Sequence, residues 1–343
     1  MKQGKTRLYA GYVLTISILW GGIGLFDGLN SIVYTGHFNE LIQGDWDQVQ
    51  YAILKALTAF FSSIAGVGLL IFRIRPVTRK LPFGLAITVN TLFLTGIALV
   101  IQYWVINQWF PLENTELMSV RLTFFWFLVS ASTLFFVNVI EKYGPGTLGK
   151  MLKGYYHQPF ETERIFMFMD IKSSTSIAED LGHIKFFELL DDFFLDVTDP
   201  IIETKGEIYQ YVGDEVVISW SMKNGLYRNN CLRCYYLAKN KIANRSDYYM
   251  KKYGLIPHFK VGLHYGQVYT GAIGRIKRDI VYSGDVLNTT ARLESICNKF
   301  RVSILMSKRL VDKLKNHDAN LPARRVGIIE LKGKTERVEL FTL

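Results

Sequence analysis

The stretch that decides the fold opens with RIFMFMDIKSST (Arg164–Thr175) and closes with GEIYQYVGDEVVISW (Gly206–Trp220). The β-rich, alternating composition of the first segment predicts a buried strand ending at Asp170. The second predicts a hairpin whose tight turn is Val212, Gly213 and Asp214. Two carboxylates, Asp170 and Asp214, therefore stand at strand ends, where a sheet can bring them side by side. Such a pair is costly unless a cation lies between them. Mg²⁺ favours one or two carboxylates, with phosphate oxygens and water completing its octahedron. The KSST run after Asp170 sets the hydroxyls and backbone N–H groups of Ser173, Ser174 and Thr175 where a helix begins, which suits a phosphate. A solvated strand-end Asp and an ordinary Gly-Asp turn would carry the same letters, so these two pieces alone leave both readings open.

Working outward, the chain has 343 residues, enough for two or three domains. Its net charge of +10 is spread along the sequence without a long basic run. That distribution points away from nucleic acid and toward phosphate-rich small molecules or a membrane surface. Cys231 and Cys234 form a CxxC with no second pair to complete a zinc site. They fall in a helix-like stretch and read as half-buried thiols of a reduced, cytosolic region.

Four apolar stretches precede residue 141: Leu8–Phe26, Ala56–Phe72, Phe83–Ile106 and Leu122–Ile140. Each approaches the roughly 20 residues that cross a bilayer as a helix. No small-residue cleavage site follows the first, against a removable signal peptide. Lys2, Lys5 and Arg7, then Arg73, Arg75, Arg79 and Lys80, then Lys142, Lys150 and Lys153 mark one side. By the positive-inside rule that side, with both termini, is cytoplasmic. Lys55 and Arg121 are the basic residues of the other side, read as span-edge side chains that snorkel; Asp27 likewise reads as lying near a span end. The spans contain no histidine, which excludes a bis-histidine haem there. Residues 1–140 are thus expected to form a four-helix domain in the lipid bilayer of the cell (inner or plasma) membrane. It reads as an anchor that also holds two protomers together, or as a receptor for a lipid, ion or small ligand. Residues 141–160 form a linker broken by Gly144, Pro145 and Gly146.

Beyond the linker, Ile184–Ile202 carries apolar residues at helical spacing, and Asn229–Lys251 reads as a second long helix. FKVGLHYG and QVYTGAIG read as two strands joined by a turn, and Asp279–Ser283 as a further short strand. Val286–Asn298 reads as a helix, followed by a strand, a short helix and two closing strands. The order βαββαβ with extensions predicts an α+β domain over 161–343, an antiparallel sheet backed by helices. On the late helix, Asn288 and Arg292 are four apart and share a face. Asn can orient a ribose hydroxyl and Arg can neutralise charge on a transferring phosphoryl group, although a solvated Asn and a surface Arg fit the same spacing.

The motifs FMDIKSST, YVGDEVV, GLHYGQVYTGAIG, SGDVLNTTARLE and LKGKTE stand in this order over about 180 residues. In that order they resemble the class III nucleotidyl cyclases, the adenylate and guanylate cyclase family. The resemblance implies a ferredoxin-like βαββαβ core and two divalent ions, Mg²⁺ or Mn²⁺, held by Asp170, Asp214 and the Ile171 carbonyl. It implies Asn288 on the ribose, Arg292 on the α-phosphate, and Lys332 with Arg275 (or, by a slip of the alignment toward it, Lys277) on the triphosphate. It also implies a homodimer whose sites lie between two catalytic domains, each protomer carrying both half-sites. Every catalytic position that can be matched is filled, against a degenerate nucleotide-sensing domain. The two base-reading positions of the family fall on Gln210 and Val281, where adenylate cyclases commonly carry Lys and Asp or Thr. ATP is the expected nucleotide, with GTP or a pyrimidine nucleotide as the alternative, because a Gln amide can face either purine.

Overall fold

The computed structural model describes residues 3–34, 46–78, 81–109, 116–143, 154–155, 158–276, 279–315, 321–330 and 337–343. It divides into two compact units, Thr6–Pro145 and a second made of Gly146–Leu343 with Met1–Lys5.

In the first unit four helices follow one another: α1 (Gln3–Tyr34), α2 (Trp46–Leu69, continued by a π-turn over Leu70–Ile74 and by Arg75–Thr78), α3 (Phe83–Trp109) and α4 (Glu116–Tyr143). Each contains a segment long and apolar enough to cross a membrane: Tyr9–Val33, Trp46–Thr78, Phe83–Val105 and Val120–Lys142. Phe26, Phe61, Phe124 and Phe135 face outward, as lipid-facing side chains do. Inside, Trp20 packs on Trp126 with ring centroids 5.2 Å apart, and its indole N–H donates to Thr133 Oγ1 at 2.9 Å.

The sequence reading of Lys55 and Asp27 needs correction here. α1 and α2 run well past the apolar stretches, so both residues lie within helices rather than at their ends. Gly24 and Gly28 let the two helices touch. A Cβ on Gly24 would stand 2.5 Å from the Ala59 Cβ, and one on Gly28 2.8 Å from the Ala52 Cα. This approach places Lys55 Nζ 2.6 Å from Asp27 Oδ2 and 3.1 Å from Ser31 Oγ, all three residues being buried. An ammonium with a carboxylate partner at that distance has no need to snorkel. Arg121 also turns inward, donating to Ser31 Oγ at 3.1 Å. Farther along α2, Arg75 pairs with Glu141 at 2.5 Å and with Asn138.

The second unit is one mixed sheet with helices on both faces. Its elements are β1 (Phe160–Ile171), α5 (Ser174–Leu181), α6 (His183–Glu203), β2 (Glu207–Val212), β3 (Glu215–Ser221), α7 (Met222–Leu226), α8 (Asn230–Ala243), α9 (Ser246–Tyr253), β4 (Phe259–Ile273), β5 (Asp279–Ser283), α10 (Asp285–Ser295), β6 (Ile304–Ser307), α11 (Lys308–Lys315), β7 (Arg324–Glu330) and β8 (Arg337–Thr342). The strand order is β2-β3-β1-β4-β6-β8-β7, with β5 paired to β4. Every pairing is antiparallel except β4 with β6.

β1 is central, and alternation assigns its two faces. Ile165, Met167, Met169 and Ile171 join the main core with Leu189, Phe193, Val197 and Ile201 of α6 and with Cys231, Cys234 and Tyr235 of α8. The four-residue spacing on α6 is the helical stripe read from the sequence. Burial pushes the Cys231 and Cys234 thiols up to about 12, so both stay protonated at neutral pH. They are fully rather than half buried. The other face of β1 carries Phe166, Phe168 and Asp170, and Phe166 and Phe168 pack with Val217, Val268 and Val286.

Two sequence readings fail in the second unit. The long helix expected from Asn229 to Lys251 breaks between α8 and α9 at Asn244 and Arg245, where Arg245 instead pairs with buried Asp196 of α6 at 2.7 Å. The two strands expected around Tyr265–Gln267 are one unbroken strand of 15 residues, β4, paired with β1 from Phe259 to Thr270. Gly266, expected in that turn, serves packing, as does Gly262. A Cβ on Gly262 would meet the Glu294 N at 2.4 Å and the Thr290 O at 2.5 Å, and one on Gly266 would meet Val286 at 3.3 Å. α10 is seated on bare β4 backbone. Gly262→Ala is therefore expected to destabilise the protein by about 1–3 kcal/mol, the usual cost of overpacking. Thermal unfolding of the purified full chain would show it, and an unchanged melting temperature would contradict this seat for α10.

Candidate active site

Asp170 is the penultimate residue of β1. In the sheet register it stands between Glu215 on β3 and Lys260 on β4. Val212 and Glu215 close the β2–β3 hairpin, leaving Gly213 and Asp214 as its turn. Gly213 has φ +61°, the left-handed conformation asked of the first residue in a two-residue hairpin turn. That turn delivers Asp214 to Asp170, and the two carboxyl groups lie within hydrogen-bonding reach. Burial, then the contact with Asp214, pushes Asp170 up to about 8. Partial burial, then the charges of Glu294 and Asp214, push the half-buried Glu215 up to about 7. The adjacency inferred from the sequence is therefore present, and it calls for a proton or a cation.

The fit of a divalent ion can be judged from these donors. Asp170, Asp214 and the backbone carbonyl of Ile171 are hard oxygen ligands of the kind Mg²⁺ and Mn²⁺ accept. Among the described residues no group of three or more His, Cys, Asp or Glu side chains is arranged to hold a metal ion by itself. A site built on two carboxylates leaves the remaining coordination positions to water and phosphate, as Mg²⁺ sites commonly do. The residues fit. A direct consequence concerns protons. The folded, metal-free protein keeps Asp170 protonated below about pH 8, whereas the unfolded chain loses that proton near pH 3.8. This group therefore lowers folding stability progressively as pH rises between those values, and a cation that binds at neutral pH must expel the proton. Calorimetric titration with Mn²⁺ in buffers of different ionisation enthalpy is expected to show close to one proton released at pH 7 and little at pH 9. Equal release at both would contradict the assignment.

The KSST run begins a helix as the sequence predicts. Ser173 takes φ 56°, uncommon for a residue other than glycine, and turns the chain from β1 into α5. Ser173 and Thr175 are exposed and Ser174 is half-buried. Lys172 is engaged elsewhere, its Nζ donating to Ser303 Oγ at 2.8 Å.

α10 buries Val286, Thr289, Thr290, Leu293 and Glu294 and leaves Asn288 exposed and Arg292 half-buried, one turn apart. Among the described residues neither the Asn288 amide nor the Arg292 guanidinium has a side-chain partner, and no contact joins them to Asp170 or Asp214. Arg275 is exposed just beyond the end of β4. Lys277 and Lys332 lie outside the described residues, as do Gly144, Pro145 and Gly146 of the linker.

At the base-reading positions, a β-bulge between Ile208 and Gln210 resets the register of β2, so that Gln210 pairs with Val217. Gln210 thereby shares the sheet face of Val217, Phe168 and Asp170. Val281 pairs with Gly271. The hydroxyl of Tyr209 accepts from the Tyr282 N–H at 3.2 Å and the two rings pack 5.0 Å apart, bringing the neighbours of Gln210 and Val281 together.

Three residues of this region escaped the sequence reading: Glu215, Lys260 and Glu294. Lys260 Nζ lies 3.1 Å from Asp170 Oδ2 and 2.7 Å from Glu294 Oε1. Glu215 and Glu294 lay in motifs already singled out, YVGDEVV and ARLE. The placement of Lys260 beside Asp170 follows from strand register, which no local motif reports.

Comparison with known proteins gives the family. The sequence profile of the adenylate and guanylate cyclase catalytic domain matches residues 156–343, more than half of the chain. The chain belongs to that cyclase family. Adenylate cyclase 2 of Rhizobium meliloti (strain 1021) is 32% identical over 230 residues, 67% of this chain and 63% of that protein. The chain thus spans somewhat under two thirds of that relative. The aligned stretch exceeds the catalytic domain, so the likeness reaches into the segment before residue 156. Human retinal guanylyl cyclase 2 is 24% identical over 195 residues, 55% of this chain and 17% of that protein. The structure of a bacterial light-regulated adenylyl cyclase superposes with a TM-score of 0.54 at 22% identity, covering 67% of this chain and 66% of that one, which bears on the fold alone.

Proposed function

We propose that the protein is a membrane-anchored adenylate cyclase that converts ATP to 3′,5′-cyclic AMP and pyrophosphate. The observation that carries this reading is the Asp170–Asp214 pair in a family whose members cyclise nucleoside triphosphates. The divalent ions supply Lewis-acid activation of the ribose 3′-hydroxyl and charge neutralisation of the triphosphate. Asp170, Asp214 and the Ile171 carbonyl hold them. Asn288 orients the ribose so that the 3′-oxygen lies in line with the α-phosphorus, and Arg292 takes the charge that develops there. Lys332, Arg275 and the first turn of α5, Ser173 to Thr175, hold the triphosphate as pyrophosphate leaves.

Asn288 and Arg292 have no partner among the described residues of their own chain, which supports a homodimer in which they serve the metal half-site of the other protomer. The charge pattern of the loops supports a cytoplasmic catalytic domain and cytoplasmic termini.

For the base, the identity with an adenylate cyclase supports ATP. A guanylate or pyrimidine cyclase is the second reading, because Val281 offers no side-chain hydrogen bond and Gln210 carries both donor and acceptor. The test supplies ATP, GTP, CTP and UTP separately with Mg²⁺ or Mn²⁺ and identifies the cyclic product by mass. Cyclic AMP should dominate; another product would overturn the nucleotide while leaving the metal site standing. Gln210→Leu is expected to raise KM for the preferred nucleotide and flatten selectivity, a loss of about 1–3 kcal/mol.

A further inference from the structure

Lys260 stands at an unusual meeting of charges. Four carboxylates, Asp170, Asp214, Glu215 and Glu294, act on one another in this corner of the sheet, and Lys260 is the ammonium among them. Its side chain and that of Glu294 are nearly buried, at 12% and 8% exposed. The Lys260–Glu294 contact is short but poorly aligned for a hydrogen bond, and Glu294 Oε1 is otherwise unsatisfied. A contact of that kind is Coulombic and can shift without breaking a directional bond. Gly262, two residues along β4, lets the backbone at Glu294 sit directly on the strand.

We propose that Lys260 is a built-in counter-ion of the metal half-site, shared between Asp170 and Glu294, which competes with the divalent ion for Asp170. Without a cation, and with the carboxyl ionised, its ammonium holds Asp170. When a cation occupies Asp170, the ammonium stays on Glu294 at the foot of α10, so the half-site never leaves a buried charge unpaired. Glu294 lies two residues beyond Arg292, so one ammonium joins the metal-ligand strand to the helix that bears Asn288 and Arg292. Lys260 acts through Asp170 and is a positioning residue. The inference rests on the proposed role of Asp170 as a metal ligand.

Competition and plain structural support predict different signs. Mn²⁺ binding to the detergent-purified full chain, without nucleotide, can be followed by electron paramagnetic resonance above about pH 8, where the Asp170 carboxyl is ionised and the proton no longer competes. Lys260→Gln removes the competitor and should tighten Mn²⁺ about tenfold. Glu294→Gln removes the alternative partner, leaves the ammonium on Asp170, and should weaken Mn²⁺ about tenfold. The double variant should bind as tightly as Lys260→Gln, and Lys260→Arg should stay near wild type. Asp170→Ala tests the underlying reading. If it binds Mn²⁺ like wild type, the metal assignment itself fails. If Asp170→Ala loses Mn²⁺ but the Lys260 and Glu294 variants leave affinity unchanged, or both weaken it, the counter-ion proposal alone is overturned. Should Lys260→Gln misfold, Lys260→Arg and Glu294→Gln still decide: unchanged affinity in Glu294→Gln rejects the proposal.

Discussion

Replacing Asp170 or Asp214 with alanine is expected to lower turnover at least about 10³-fold, about 4 kcal/mol of barrier, while the protein still folds. Each residue supplies a carboxylate to a set that has only two, and the remaining one cannot hold the same charge on its own. The same geometry forecasts stability. Asp170 is pushed up to about 8, so its ionisation opposes folding at neutral pH, and its removal should leave the metal-free melting temperature at pH 7 unchanged or higher. Loss of activity without loss of stability separates a ligand from a structural carboxylate such as Asp196, which is buried under Arg245 and Tyr249. Wild-type turnover in either purified variant would remove the basis of the metal assignment.

Much of this site is legible in the sequence, for local reasons. The apolar run before Asp170 is long enough to force a buried strand, and Gly-Asp between two β-rich segments forces a hairpin. The spacing of Asn288 and Arg292 places them together wherever α10 packs. What escaped notice depends on contacts between distant segments. Tyr265–Gly266–Gln267 resembles a turn until α10 is placed on Gly262 and Gly266, and then the glycines belong in the middle of a strand. The bulge at Tyr209 appears only when β2 is paired with β3, and it changes which residue of β2 faces the site. Lys260 is an ordinary strand lysine until register sets it opposite Asp170. In the membrane unit, Asp27 and Lys55 looked like span-end residues because the apolar runs stop near them. The helices continue, and the contact at Gly24 and Gly28 turns two isolated charges into a pair.

Asp214→Ala and Arg292→Ala, each inactive alone, are expected to restore activity when combined in one dimer. Asp214 stands on the β2–β3 turn beside Asp170, whereas Arg292 stands on α10 with no partner among the described residues of its own chain. If a single protomer assembled a complete site, a mixed dimer would contain only broken ones. If each site draws its carboxylates from one protomer and its Asn–Arg pair from the other, two-fold symmetry makes two sites. A mixed dimer then has one site with both lesions and one with none. Isolated mixed dimers, purified through two different tags, should show about half the wild-type activity per dimer by that symmetry count. The nucleotide KM should match wild type, because the surviving site is unaltered. Activity at the background of the single variants, in dimers shown to contain both chains, would place each site within one protomer and reject the shared-site reading.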